Sequence, residues 1–177
     1  MTFTKSVRTC FRKYFTFSGR ASRSEYWWFI LFLLLGGVVA NVVDSAVFGF
    51  GQIATAPGAA AVDAGNGPVS GLFSLATLIP SLSAGWRRMH DTGRSGLYLL
   101  YPIIVMIGVT MFLGLLGGFT AVLTGDLGAI IAGAGGLVLA MATIILVLSP
   151  LIVLWWLTRP SHPGQNAYGP NPHEVSP

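Results

Sequence analysis

Charge is scarce in this chain. Of its 177 residues only 9% are Asp, Glu, Lys or Arg, against about a quarter in a soluble domain, so a protein wetted on every side is excluded. Cysteine occurs once, at Cys10, and no intrachain disulfide can form. The three histidines, His90, His162 and His173, stand far apart with no Cys or His at metal-ligand spacing. No structural zinc, cofactor or catalytic nucleophile is expected. Most telling is a local absence: residues 51–68 and 124–126 contain neither Lys nor Arg.

Apolar sequence is abundant, at 53%. Four stretches stand out: Tyr26 to Phe50, Val69 to Trp86, Leu97 to Leu123, and Leu127 to Leu157. Each supplies the roughly 18–20 residues that a helix rising about 1.5 Å per residue needs to cross about 30 Å of hydrocarbon. Helices are the only open-chain solution there, because an unpaired backbone amide in lipid costs several kcal/mol. The second stretch is short and holds Gly71, Ser74, Thr77, Ser81 and Ser83, and Pro80 should kink it and free a carbonyl that a neighbour must cover.

The ten Lys and Arg residues fall in three places. Lys5, Arg8, Arg12, Lys13, Arg20 and Arg23 precede the first stretch, Arg87, Arg88 and Arg94 separate the second from the third, and Arg159 follows the fourth. By the positive-inside rule this fits four alternating crossings with both termini cytoplasmic, whereas two or three crossings would strand a basic segment outside. The net charge of +4 is therefore topological, and no nucleic-acid partner is implied.

The fold expected is an all-α membrane protein, four transmembrane helices preceded by an N-terminal amphipathic interfacial helix. The partition is an interfacial helix at 1–18, spans at 23–50, 69–86, 97–123 and 127–157, an extracytoplasmic loop at 51–68, a cytoplasmic loop at 87–96 and a cytoplasmic tail at 158–177. Ala54-Thr55-Ala56 resembles a signal-peptide cleavage site, but Tyr26 to Val43 is an uncharged run longer than the usual 7–15 residues and Pro57 would follow the cut. The first helix is expected to stay uncleaved. Residues 51–68, rich in Gly and Ala, read as a flexible loop.

At about 100° per residue, Phe3, Val7, Cys10, Phe11 and Tyr14 share one arc, with Lys5, Arg8, Arg12 and Lys13 opposite. Such a helix lies in the membrane surface and anchors orientation, and anionic headgroups would add about 1 kcal/mol per basic residue at most. Next comes FSGRASRSEYWW, residues 17–28, in which Ser22-Arg23-Ser24-Glu25 has capping-box spacing: Ser22 accepts from the Glu25 amide and the Glu25 carboxylate reaches back. Helix one should begin at Arg23, with Tyr26, Trp27 and Trp28 at headgroup depth.

The stretch GWRRMHDTGRSG, residues 85–96, reads as a tight turn in which Arg87 and Asp91 pair and Gly93 and Gly96 let the chain reverse. Three readings stay open here. One is a salt-bridged turn docked on the FSGRASRSEYWW corner. A second is an anion or phospholipid-headgroup site formed by Arg20, Arg23, Arg87, Arg88 and Arg94, since arginine forks suit phosphate. The third is acid–base chemistry at His90 and Asp91, although adjacent residues on a helix do not face one another.

Within the spans, Asn41 and Asp44 lie three apart toward the outer end of helix one, where Asp44 should be wetted. Small residues four apart, Gly114 with Gly118, Ala129 with Gly133, and Ala132 with Gly136 and Ala140, suggest close helix packing. The tail from His162 to Pro172 consists of turn formers and cannot be a helix, and Asn166, Tyr168 and Gly169 are its candidates for docking on the corner.

Together, GRASRSEYWW, RRMHDTGRSG and GQNAYGPNP resemble the bacterial membrane family catalogued as domain of unknown function 805, over about Tyr14 to Pro172. The resemblance implies a small inner-membrane protein with no established activity, cofactor or substrate. The family's patterned positions map onto Gly19, Arg20, Arg23, Glu25, Tyr26, Trp27, Arg87, His90, Asp91, Gly93, Gly96, Asn166, Tyr168 and Gly169.

The function expected is a non-enzymatic, multi-pass inner-membrane protein whose cytoplasmic motifs form one polar cap. Its candidate site is Arg20, Arg23, Glu25, Arg87, Arg88, His90, Asp91 and Arg94, and its expected partners are membrane lipids, anionic ones included, a membrane protein or a second copy. The alternatives are a small transporter or channel using Asn41, Asp44 and the polar residues of span two, and a membrane enzyme using Glu25, His90 and Asp91.

Overall fold

The computed structural model describes residues 1–49, 53–56, 59–62, 67–117 and 119–174. Helix α1 (Phe3–Arg12) is followed by α2 (Arg23–Phe48), strands β1 (Ile53–Ala56) and β2 (Ala59–Val62), α3 (Pro68–Asp91), a 3-10 helix (Gly96–Leu100), α4 (Tyr101–Gly117), α5 (Phe119–Thr124), α6 (Leu127–Ala134) and α7 (Gly136–Thr158). Four helical segments are long and apolar enough to cross a membrane: Arg23–Phe48, Pro68–Asp91, Gly96–Leu116 and Gly136–Thr158.

Several boundaries differ from the sequence reading. The interfacial helix expected at 1–18 is the shorter α1, and the span expected at 97–123 is a 3-10 helix, α4 ending at Gly117 and a separate α5. Helix α3 runs on through Arg87, Arg88 and His90 to Asp91, so the basic stretch expected in a loop is the last turn of a helix. Its side chains find partners on three sides there, which repays helical order. The apolar run 127–157 is not one helix. Gly135, with φ +71°, stands between α6 and α7, a conformation that costs glycine nothing and breaks the ladder. The expected loop at 51–68 contains an antiparallel hairpin that pairs Ile53 with Val62 and Ala56 with Ala59. Pro57 and Asp63 lie outside the described residues.

Helix α2 packs on α3, and α4 packs on α7, with α5 and α6 beside α4. The amphipathic α1 lies across α2 and α3. Phe3 meets the Trp28 ring edge-on at 5.9 Å, and Phe11 meets Phe29 and Phe32, each at 5.8 Å. Cys10 and Ser6 are buried beneath α1, while Lys5, Arg8 and Arg12 are exposed. The two helix pairs join at the arginine-rich end, where Ala84 and Met89 of α3 share a core with Cys10, Phe29, Val153 and Leu157. Away from that end most large apolar side chains are exposed, as expected of helices solvated by lipid.

Helix-breaking prolines are answered locally. Pro80 cannot donate to the Ala76 carbonyl, and the Tyr14 hydroxyl donates to it instead at 2.9 Å. Pro150 similarly frees Leu146, whose carbonyl accepts from the Ser149 hydroxyl at 3.1 Å. Ser83 donates to the Lys13 and Thr16 carbonyls at 2.9 and 2.8 Å, fixing the end of α1 to α3.

Asp44 is not wetted; it is 1% exposed. Its carboxylate crosses from α2 to accept the Val69 amide at 2.9 Å and the Ser70 amide at 2.7 Å, capping the start of α3 from a neighbouring helix. Asn41 donates to Gly37 within its own helix. Of the small-residue positions, Gly114 is buried, Ala132 and Ala140 are exposed, and Gly118 lies outside the described residues. Ala132 and Ala140 therefore face away from the rest of the chain.

Candidate functional site

The joined end of the bundle is built around one carboxylate. Asp91 ends α3, where the helix dipole disfavours a negative charge by about 0.3–1 kcal/mol. Two guanidinium groups reverse that preference. Arg20 Nε donates to Asp91 Oδ1 at 3.0 Å, Arg88 Nη1 donates to Oδ2, and the Ser161 hydroxyl donates to Oδ2 at 2.5 Å. Asp91 and Arg88 are fully buried.

Arg20 ties three segments together. Its Nη1 donates to the Gly164 and Gly169 carbonyls at 2.8 and 3.3 Å, and its Nη2 donates to the His162 carbonyl at 2.6 Å and the Asp91 carbonyl at 3.5 Å. With Nε on Asp91, all five N–H donors of the fork are used. Arg88 does the same for α7: Nε donates to the Leu157 carbonyl at 3.0 Å and Nη2 to that of Arg159. These carbonyls belong to the end of α7, which has no amide of its own to offer them and carries partial negative charge. One arginine thus stitches α3 to α7.

Glu25 does not complete the capping box. Ser22 accepts from the Glu25 amide at 3.2 Å as the spacing predicts, but the Glu25 carboxylate accepts from Arg87 Nη1 instead of turning back to Ser22. A buried cation offers the carboxylate more than one backbone amide does. The expected pairing of Arg87 with Asp91 is replaced by Arg87–Glu25, Arg88–Asp91 and Arg20–Asp91. Arg87 is fully buried, and its Nε and Nη2 have no acceptor. Beside this pair sits the Cys10 thiol, pushed up from an ordinary 9.0 to about 11 by burial and by the Glu25 charge, against the opposing pull of Arg87. It remains a protonated, buried group at neutral pH.

His90 faces elsewhere. Its Nδ1 lies 3.1 Å from the Gly19 carbonyl, and the Tyr168 ring stacks on it at 3.8 Å with 5° between planes. Asn166 donates to the His90 carbonyl at 2.9 Å and accepts the Tyr168 amide at 2.9 Å, and its backbone pairs with Gly169. The tail thus lies on the end of α3. Arg94 stands 5.2 Å above the Trp156 ring and donates to the Thr92 carbonyl at 3.3 Å. Gly96 serves packing more than reversal, since a Cβ there would enter the Trp86 indole, whereas Gly93 takes φ +77°. Arg23 is exposed.

Of the eight candidate residues, Arg20, Glu25, Arg87, Arg88, His90 and Asp91 are brought into one buried cap, while Arg23 and Arg94 stand at its margin. Glu25, His90 and Asp91 do not converge: each is held by different partners. Sequence reasoning missed Ser161, Ser83, Tyr14 and Cys10 as members or supports of the cap. A proline marks the carbonyl that Tyr14 covers, but nothing along the chain identifies the donor. Among the described residues, no group of three His, Cys, Asp or Glu side chains could hold a metal ion.

Fold and cap define a polytopic α-helical membrane protein closed at one end by a buried network of three arginines and two carboxylates. Residues 14–170 match the model of the family described as "Protein of unknown function (DUF805)", and the chain belongs to that family. It is 35% identical over 97 residues to the inner membrane protein YhaI of Escherichia coli (strain K12), covering 55% of this chain and 70% of that protein. To the inner membrane protein YhaH of the same organism it is 30% identical over 97 residues, 55% of this chain and 71% of that protein. No solved structure matches the chain.

Proposed function

We propose that this is a non-enzymatic inner-membrane protein whose arginine-rich end faces the cytoplasm, and whose outward cations there engage anionic lipid headgroups. The observation that carries the reading is a division of labour among the basic residues. Arg20, Arg87 and Arg88 are buried in ion pairs with Asp91 and Glu25, whereas Lys5, Arg8, Arg12 and Arg23 are exposed at the same end and no carboxylate among the described residues pairs with them. Cations so placed attract an anionic leaflet and follow the positive-inside rule. The separate engagement of Glu25, His90 and Asp91 supports a non-catalytic cap. The use of Asp44 as a helix cap counts against its serving a transport path.

Lipids that copurify with the full chain test the reading. Wild type should be enriched in phosphatidylglycerol and cardiolipin relative to its host membrane, and charge reversal at Lys5, Arg8, Arg12 and Arg23 should abolish the enrichment. Identical lipid profiles would count against headgroup binding. A cysteine placed at Thr92 in a Cys10→Ala background should escape an impermeant maleimide on intact cells; labelling there would overturn the orientation.

A further inference from the structure

Between α1 and the segment entering α2 lies a cleft of about 580 Å³, lined also by Pro172 and His173 of the tail. That volume lies within the 300–1,000 Å³ range common for small-molecule sites. Lys5, Thr9, Arg12 and Lys13 form one wall, at intervals of four, three and one, so a single face of α1 is turned to it. Ser24 and Glu25 form the opposite wall.

The charges in this cleft do not cancel. Glu25 is the one acidic residue of the lining and is already paired to Arg87, and Arg20, which also borders the space, is spent on Asp91 and four carbonyls. Lys5, Arg12 and Lys13 are left facing a recess with no carboxylate to answer them among the described residues. The Thr9 hydroxyl adds an uncharged donor, while the Ser24 hydroxyl accepts from the Met1 ammonium at 3.2 Å and is shared with Ser22 at 3.1 Å. Three cations and a hydroxyl on one face suit a tetrahedral oxyanion, since phosphate oxygens accept charge-assisted hydrogen bonds from several directions at once.

We propose that this cleft is a specific site for a phosphate-bearing anion, held by Lys5, Arg12 and Lys13. The inference rests on the headgroup-binding reading above and sharpens it from a charged surface to one site. Its chemistry fits both the phosphodiester of a lipid headgroup and a soluble phosphate ester.

The test uses the full chain in phosphatidylcholine nanodiscs, titrated calorimetrically with dihexanoylphosphatidylglycerol and with glycerol 3-phosphate after subtraction of empty discs and of dihexanoylphosphatidylcholine. Lys5→Gln/Arg12→Gln removes two charges from the cleft; Arg8→Gln/Arg23→Gln removes two from the surface outside it. The cleft variant should weaken binding by about tenfold or more, and the surface variant by less than about threefold, given the roughly fivefold that one basic residue contributes near an anionic surface. Thr9→Glu, which adds a repelling carboxylate at the rim, should weaken binding similarly and decides the matter if the double variant fails to fold. Equal losses in the cleft and surface variants would overturn the site yet leave general headgroup attraction standing. Absence of any phosphate binding by the wild type would overturn the site, and the copurified-lipid experiment would still judge the broader reading separately. Binding of dihexanoylphosphatidylglycerol alone would assign the site to lipid; equal binding of glycerol 3-phosphate would assign it to a soluble ester.

Discussion

The pair α2–α3 and the pair α4–α7 solve the same problem differently. Helices α2 and α3 are stitched by polar groups near both ends: Asp44 caps α3 at one and Glu25 holds Arg87 at the other, while Tyr14 and Ser83 tie the segment that follows α1 to α3 between them. Between α4 and α7, no side-chain hydrogen bond crosses among the described residues. Thr143, Ser149 and Thr158 each return to their own helix. What holds that pair is apolar packing, together with Trp156 between Tyr98 and Tyr101 at the arginine-rich end. In lipid, apolar contact between helices has little driving force over contact with acyl chains. The lesson is that α2–α3 is a defined unit, while the position of α7 depends on Arg88 grasping its last carbonyls.

That contrast can be broken at its strongest point first. Arg88→Leu should release α7 from α3, leave Asp91 short of one cation and destabilise the chain by about 3–5 kcal/mol. Unfolding by dodecyl sulfate in mixed micelles would measure the loss. Crosslinking between α3 and α7 should vanish while crosslinking between α2 and α3 persists, and loss of both would deny that the pairs are separate units.

Asp44→Asn probes the opposite end of the polar pair. An amide can cap only one of the two backbone groups that the carboxylate now serves, and the charge that favours a helix N-terminus disappears, so stability should fall by about 1–2 kcal/mol. The same micelle titration would register it, and an unchanged midpoint would mean that this cap is not held in the folded protein. The smallest effect expected is that of Tyr14→Phe. It strands the Ala76 carbonyl freed by Pro80 and should cost about 1 kcal/mol, typical for a polar contact between membrane helices. Adding Pro80→Ala should cancel most of that cost by restoring the donor within the helix, and simple additivity of the two changes would show that Tyr14 does not serve this carbonyl.

Much of the fold was legible because lipid imposes strong rules on composition. Four spans, an amphipathic leading helix, the start of α2 at Arg23 and the covered carbonyl that Pro80 frees all follow from hydrophobic length, 3.6-residue periodicity and backbone satisfaction. The cap was legible only as a collection. Its three motifs were recognisable by their arginines, glycines and aromatics, yet the pairings within them were not. Arg87 and Arg88 are adjacent and chemically identical, and which of them meets Asp91 depends on the direction each leaves the last turn of α3. The break at Gly135 was obscured because the residues around it are as apolar as those of a spanning helix. Asp44 looked wetted because helix length places it near an interface, whereas its environment is set by the start of a different helix.

By itself, the sequence determined how many times the chain can cross a bilayer and at which end its cations gather, because transfer of charge and of bare amides into hydrocarbon costs more than any local packing returns. Only tertiary structure decided which arginines are consumed inside the cap and which stay exposed. A guanidinium fork selects its acceptors by direction and distance, and those acceptors come from segments more than a hundred residues apart, as when Arg20 reaches the carbonyls of His162 and Gly164.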